Sequence, residues 1–188
     1  MQNLLVTIVG RDRPGIIYQV SRILADRHCN VIEVSQTTLM DEFAGLFSCA
    51  MPRGTDPDEL DRVLGEALAG SGLGHWVKAG TIDNAPAMLR DRLEPYVVTL
   101  RGPDRLGIIP EFSGIMAGFE VNINNLRAVS MTGGQDGNSP QVVLFFELSV
   151  PREVKQGAFR QALNMAAEEM GMEMSLQHRD IFEAIHRL

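Results

Sequence analysis

One octapeptide pattern occurs twice in this chain, with six of its eight residues identical. Gly10-Arg11-Asp12-Arg13-Pro14-Gly15-Ile16-Ile17 returns as Gly102-Pro103-Asp104-Arg105-Leu106-Gly107-Ile108-Ile109. The offset of 92 residues holds outside these positions as well. Val6 and Thr7 match Val98 and Thr99, Ser21 matches Ser113, Ile23 matches Ile115, Ala25 matches Ala117 and Asn30 matches Asn122. A repeat of this length in 188 residues calls for two similar units. Each has about ninety residues, enough for a modest core. The shared part is a connection between an apolar strand and an apolar helix. A repeat made for packing alone should echo apolar positions; this one also echoes Gly, Asp, Arg and Asn in a turn, where binding residues collect.

Each unit has the same pattern of elements. Leu4 to Val9 is an apolar, β-branched run bounded by Gly10, which predicts a buried strand. Arg11 to Gly15 is the turn. Ile16, Val20, Ile23 and Leu24 follow at helical spacing, and Asn30 closes that helix. Val31–Leu39 and Phe43–Met51 read as strands joined tightly at Met40-Asp41-Glu42. Asp56-Pro57-Asp58-Glu59 is an acidic helix start, with Leu60, Val63, Leu64, Ala67 and Leu68 on the buried face. Gly70-Ser71-Gly72 stops that helix, and His75–Ile82 is the last strand.

The second unit repeats the order. Tyr96–Leu100 is the strand and Gly102–Gly107 the turn, followed by a helix face of Ile108, Phe112, Ile115, Met116 and Phe119. Val121–Met131 and Val142–Val150 are hairpin strands with a long tip at Thr132–Pro140. Val154–Met170 is a helix and Met172–Phe182 the final strand. The predicted class is α+β: two βαββαβ units of the ferredoxin-like kind, each an antiparallel sheet with both helices on one face. The expected boundaries are 1–82 for the first unit, 83–95 for a linker and 96–188 for the second. Met88–Leu93 could add a helical turn to the linker.

Charge limits the partners. With 17 basic residues against 24 acidic ones the net charge is −7, and the basic residues are scattered. A broad nucleic-acid surface needs clustered Lys and Arg, so no direct nucleic-acid partner is expected. No apolar run reaches the roughly eighteen residues that span a membrane. The N-terminus lacks a basic segment before its apolar stretch and reads as a first strand, not as a signal peptide. Two cysteines, Cys29 and Cys49, both in the first unit, suit a reducing cytoplasm, with neither a disulfide nor a metal site.

The repeated turn has a chemical use. The first helical N–H groups lack partners within the helix and carry partial positive charge, so a carboxylate or phosphate is stabilised there. Glycine at 15 and 107 lets a ligand approach the backbone, or permits a φ that other residues resist. Asp12 and Asp104 could cap the helix or accept hydrogen bonds from a ligand ammonium group. Asn30 and Asn122, at the far end of the helix, can both donate and accept. All of these residues also have plain folding roles, as turn, cap and stop.

At these residues the chain resembles the ACT domain family. The signature is the apolar strand, then Gly10 to Ile17, then an amphipathic helix leading to Asn30-Val31; it recurs, less fully, at 102–123. Two such domains and nothing else resemble the tandem-ACT proteins of the glycine cleavage system transcriptional repressor group. The resemblance implies a non-catalytic, amino-acid-sensing regulator, acting on transcription or metabolism through protein contacts, with no catalytic residue and no cofactor. It implies domains paired through sheets or helices. In the first unit the ligand-facing residues would be Asp12, Arg13, Pro14, Gly15, Ile16 and Asn30. In the second they would be Asp104, Arg105, Gly107, Ile108 and Asn122. The second copy departs from the signature: Leu106 stands for Pro14, Pro103 for Arg11, and Pro110 enters the helix start. If one turn binds, the first is expected to. The expected partners are a small amino acid, a protein such as a transcription regulator, and a second copy of the chain. The alternative is a ligand-independent interaction module.

Other motifs lead nowhere. Gly133-Gly134-Gln135-Asp136-Gly137 joins two strands and lacks the Gly-Lys-Ser/Thr ending of a phosphate loop. His28, His75, His178 and His186 have no metal spacing. Cys29 and Cys49 lack a visible activating base and read by default as small buried side chains, and Ser21 and Ser113 fall inside helices, so no nucleophile–base pair is suggested.

Overall fold

The computed structural model describes residues 1–54, 56–80, 92–132 and 140–186. The chain divides into two compact units, Met1–Asn84 and Ala85–Leu188. The first runs β1 (Gln2–Arg11), α1 (Ile16–Asp26), β2 (Asn30–Leu39), β3 (Glu42–Met51), α2 (Pro57–Leu68), β4 (Leu73–Gly80). The second runs β5 (Leu93–Pro103), α3 (Ile108–Gly118), β6 (Asn122–Thr132), β7 (Pro140–Pro151), α4 (Gln156–Met170), β8 (Glu173–His178), and then α5 (Arg179–His186). The sheets have the orders β2-β3-β1-β4 and β6-β7-β5-β8. Every pairing is antiparallel. This is the ferredoxin-like fold in tandem.

Alternation builds each core. On β1, Leu4, Val6 and Ile8 are buried and their neighbours are less so. They meet Phe43, Phe47 and Cys49 of β3, and the stripes at four-residue spacing Ile16-Val20-Leu24 of α1 and Leu60-Leu64-Leu68 of α2. The second core repeats the scheme with Val98, Leu100, Phe112, Met116, Phe146, Leu148, Phe159 and Leu163. Burying side chains of this kind contributes about 1.5–3 kcal/mol each, the main favourable term in folding. The start of α2 is as expected: Pro57 opens the helix, and the Asp56 carboxylate accepts from the Asp58 N–H at 3.0 Å.

Most strands run one to three residues past an expected end, and three departures change how the chain is read. First, α1 ends at Asp26 and is closed by His28, a left-handed residue (φ 56°), whereas Asn30 already belongs to β2. Glu120 repeats this in the second unit (φ 57°). Second, β5 begins at Leu93, so residues 93–95, expected in the linker, join a strand. Pro95 is tolerated because β5 there has β7 on one side only; its pairing with β8 begins at Tyr96. Glu94 ties the segment down, accepting from Gln156 Nε2 at 3.2 Å and lying 3.6 Å from Arg152 Nε. Third, β8 ends at His178 and residues 179–186 form α5, not strand. The His178 Nδ1 accepts the Asp180 N–H at 3.4 Å and so serves as the helix cap. Residues 133–139 of the expected hairpin tip and 88–91 of the expected linker turn lie outside the described residues.

Helix α5 lies against the sheet face that α3 and α4 leave open. Phe182 packs on Phe145 of β7, with ring centroids 6.5 Å apart. Val97, on the same face of β5, is only 3% exposed.

Both cysteines are free and buried. Burial pushes the Cys29 thiol up, and burial together with nearby Cys29 pushes Cys49 up to about 11. A raised value means the folded chain keeps a proton that the unfolded chain releases. The stability these thiols contribute is therefore full below their ordinary value of 9.0 and is lost as pH rises through about 11. The unfolding midpoint of the first unit should fall across that window. In a Cys29→Ala/Cys49→Ala variant the same pH scan by circular dichroism should show a shallower fall; an unchanged slope would refute the assignment.

Candidate functional site

The first repeated turn is held open by its neighbours. β1 delivers the chain to Arg11, whose register partner is Glu42. The Asp12 N–H then donates to the Asp41 carbonyl at 2.7 Å, pinning the turn to the β2–β3 hairpin. Gly10 has a packing role: a Cβ there would collide with the Gly72 carbonyl. Gly15 is different. It is left-handed (φ 91°, ψ 1°) at the N-cap of α1, and a Cβ would meet nothing within 4 Å. Glycine is needed here for its backbone conformation, and the space beside it is empty.

No side chain caps α1, and its first turn holds no acidic residue. This decides what Asp12 does. Its carboxylate accepts from Thr38 Oγ1 at 3.3 Å, across the hairpin, and leaves the helix start uncapped. Arg13 donates through Nη2 to Gln19 Oε1 at 2.6 Å, and Gln19 Nε2 donates to the Ala67 carbonyl near the end of α2 at 3.3 Å. The guanidinium is thus steered along α1.

Between turn and hairpin lies a cavity of about 410 Å³. Asp12, Arg13 and Gly15 line one side, and Gln36 and Thr38 of β2 the other. Ile16 and Phe43, both buried, form the floor; Ile17 and Tyr18 also border it, Tyr18 being 72% exposed at the rim. The Phe43 ring lies over Gly45, where a Cβ would come within 2.7 Å of it.

Of the residues expected to face a ligand in the first unit, Asp12, Arg13, Gly15 and Ile16 are brought together. Pro14 is exposed and does not line the cavity. Asn30 stands apart, because α1 intervenes and eleven helical residues span about 16 Å. Gln36, Thr38, Phe43, Ile17 and Tyr18 were not anticipated. One signal was available in β2. Val31, Val34, Gln36 and Thr38 share the helix-side face with Cys49, Phe47, Gly45 and Phe43, so polar residues replace apolar ones where the strand reaches the turn.

The second turn has the same frame with different chemistry. The Asp104 N–H donates to the Pro140 carbonyl at 3.0 Å, and Gly107 is left-handed (φ 95°) at the uncapped start of α3. But Glu111 occupies the position of Gln19, placing a carboxylate in the first helical turn, where it competes for the same partial charge as an anionic ligand. Ala128 replaces Gln36. The Arg105 guanidinium lies near Gly171, 3.7 Å from where a Cβ there would stand. Ile108 is core. Asn122 donates to Asn124 Oδ1 at 2.8 Å, and Asn124 to Ser149 Oγ at 2.8 Å, a ladder along the strand. The serines shared by the repeat bond back to their helices, Ser21 to the Tyr18 carbonyl and Ser113 to that of Pro110.

His75, half-buried on β4, contacts the Asp61 carbonyl at 2.9 Å and the Asp61 carboxylate at 3.3 Å, a bridge from β4 to α2. Among the described residues no group of three His, Cys, Asp or Glu could hold a metal ion, and no helix is long and apolar enough to cross a membrane.

Comparison with known proteins agrees with this architecture. The family model for the ACT domain matches residues 2–69. A UPF0237 protein of Methanopyrus kandleri is 35% identical over 92 residues, covering 49% of this chain and 96% of the relative. One from Methanosarcina mazei is 29% identical over 94 residues, covering 50% and 95%. Among solved structures, an unknown protein from Galdieria sulphuraria superposes with a TM-score of 0.79 at 21% identity, over 94% of this chain and 98% of its own. A candidate glycine cleavage system transcriptional repressor superposes at 0.65 and 19% identity, over 94% and 96%. The solved structures extend the shared fold to both units, and the family model places the ACT signature in the first: the chain belongs to the ACT-domain family, with two such domains in tandem.

Proposed function

We propose that the first unit binds a small α-amino acid in the cavity beside Gly15, and that the protein is a non-catalytic regulator that passes the bound state to a protein partner. One observation carries this reading. An uncapped helix start, Arg13 and Asp12 line a single cavity of about 410 Å³ with an apolar floor, a size typical of small-molecule sites.

The ligand carboxylate would meet the first N–H groups of α1 and Arg13. The ammonium would sit near Asp12 and the Gln36 side-chain oxygen. The ligand's own side chain would rest on Phe43 and Ile16, which favours a small one because that floor is already filled. Binding would tie the turn to the β2–β3 hairpin and so favour one arrangement of the unit over others. The second turn, with Glu111 and Ala128, is the weaker candidate. ACT-family membership and the likeness to a candidate transcriptional repressor support a regulator read by a protein partner, such as a transcription regulator.

Titration calorimetry with the twenty amino acids, paired with thermal unfolding, tests the proposal. One or a few small amino acids should release heat and raise the midpoint of the first unit, since binding to the native state alone stabilises it. Folded protein that responds to none of them would sink it.

A further inference from the structure

The first unit leaves one face of its sheet uncovered. Trp76 is 60% exposed, Leu46 45% and Val9 38%. Register places these residues side by side: Thr7 lies between Leu46 and Trp76, and Val9 between Ala44 and Gly74. The Trp76 ring lies down on the strand, over Gly74, where a Cβ would come within 3.3 Å of it. The equivalent face of the second unit is occupied by α5, with Phe182 on Phe145. The bare face is therefore particular to the first unit.

We propose that this face pairs with the same face of a second copy of the chain, about a two-fold axis running along the strands between β3 and β1. The pattern of charge points to self-pairing. The face carries Glu33 and Glu42, Arg11 and Lys78, two acids and two bases, on a chain whose net charge is −7. Glu33 lies on edge strand β2 and Lys78 on edge strand β4, in one row through Ser48 and Leu5. Glu42 on β3 faces Arg11 on β1 in another.

The two-fold axis exchanges β2 with β4 and β3 with β1. Each Glu33 then lies over the partner's Lys78 and each Glu42 over the partner's Arg11, while Leu46, Thr7 and Trp76 close the centre. This is the self-complementarity that an isologous contact requires. Aligned strands are also a standard way for two sheets to stack. Four strands of about eight residues present roughly 500 Å². Two copies therefore bury about 1,000 Å², the lower limit for a specific interface, and the dimer should dissociate on dilution. This inference is independent of the amino-acid reading.

Trp76 is the one tryptophan in the chain, so its fluorescence reports on this face directly. Sedimentation and emission spectra are recorded across the same concentration series. Mass should double with concentration, and emission should move to shorter wavelength along the same curve. Leu46→Glu should leave a monomer with unchanged circular dichroism. Glu33→Lys should weaken pairing by about tenfold or more, because it sets like charges opposite each other, and Glu33→Lys/Lys78→Glu should restore most of it. A protein that is monomeric at every concentration, a dimer whose Trp76 emission never moves, or a double swap no better than the single one would overturn the proposal.

Discussion

Replacing Asp12 with alanine should sharply weaken the amino-acid response of the first unit and leave its fold intact. The carboxylate does not cap α1 and has one hydrogen bond among the described residues, from Thr38. Folding therefore depends little on it, and a ligand ammonium would depend on it heavily. A hydrogen bond to a charged group, once lost, weakens binding by about 10- to 100-fold. The unliganded midpoint should change little, and the ligand-induced rise should shrink markedly at concentrations that just saturate the unaltered protein. Asp104→Ala in the second unit is the matched control and should leave the response in place. If Asp12→Ala binds normally, the ammonium lies elsewhere and the reading of the cavity is wrong, whatever its volume.

The second large effect concerns stability. Phe47 is fully buried at the centre of the first core, on β3 between Val6 and Val34. Truncation to alanine leaves a cavity that strands on either side cannot close, at a cost of about 3–5 kcal/mol. For a unit of this size that approaches the whole folding free energy. The two cores are separate clusters. Phe47→Ala should therefore lower one unfolding transition by tens of degrees and leave another near its original temperature, and Phe146→Ala should do the reverse. Equal losses in both transitions from either substitution would show that the units do not unfold separately. Calorimetry resolves the two cases.

The parts of this molecule readable from sequence are those fixed by local chemistry. The turn from Gly10 to Gly15, the stripes on α1 and α2, and the Asp56-Pro57 helix start each follow from a few adjacent residues. The site was half readable for the same reason. Asp12, Arg13, Gly15 and Ile16 lie together along the chain, so finding one finds the others. Gln36, Thr38 and Phe43 reach the cavity through the register of the β2–β3 hairpin, which no local pattern specifies. Asn30 repeats just as faithfully, yet the length of α1 carries it away from the turn and it does not line the cavity. The end of the chain failed for a different cause. Met174, Leu176 and His178 alternate as a strand should, and nothing in that pattern announces that a histidine ring would cap a helix at the next residue.

Helix α5 also bears on a hazard of repetition. A protein with two adhesive sheet faces can grow without limit, each molecule holding one neighbour with one unit and another neighbour with the other, and such growth ends in fibres and not in a counted assembly. With the second face occupied by a segment of its own chain, only one of these two sheet faces stays bare among the described residues, and pairing through it would close. Eight residues at the C-terminal side of β8 thus make the difference between a link and an end.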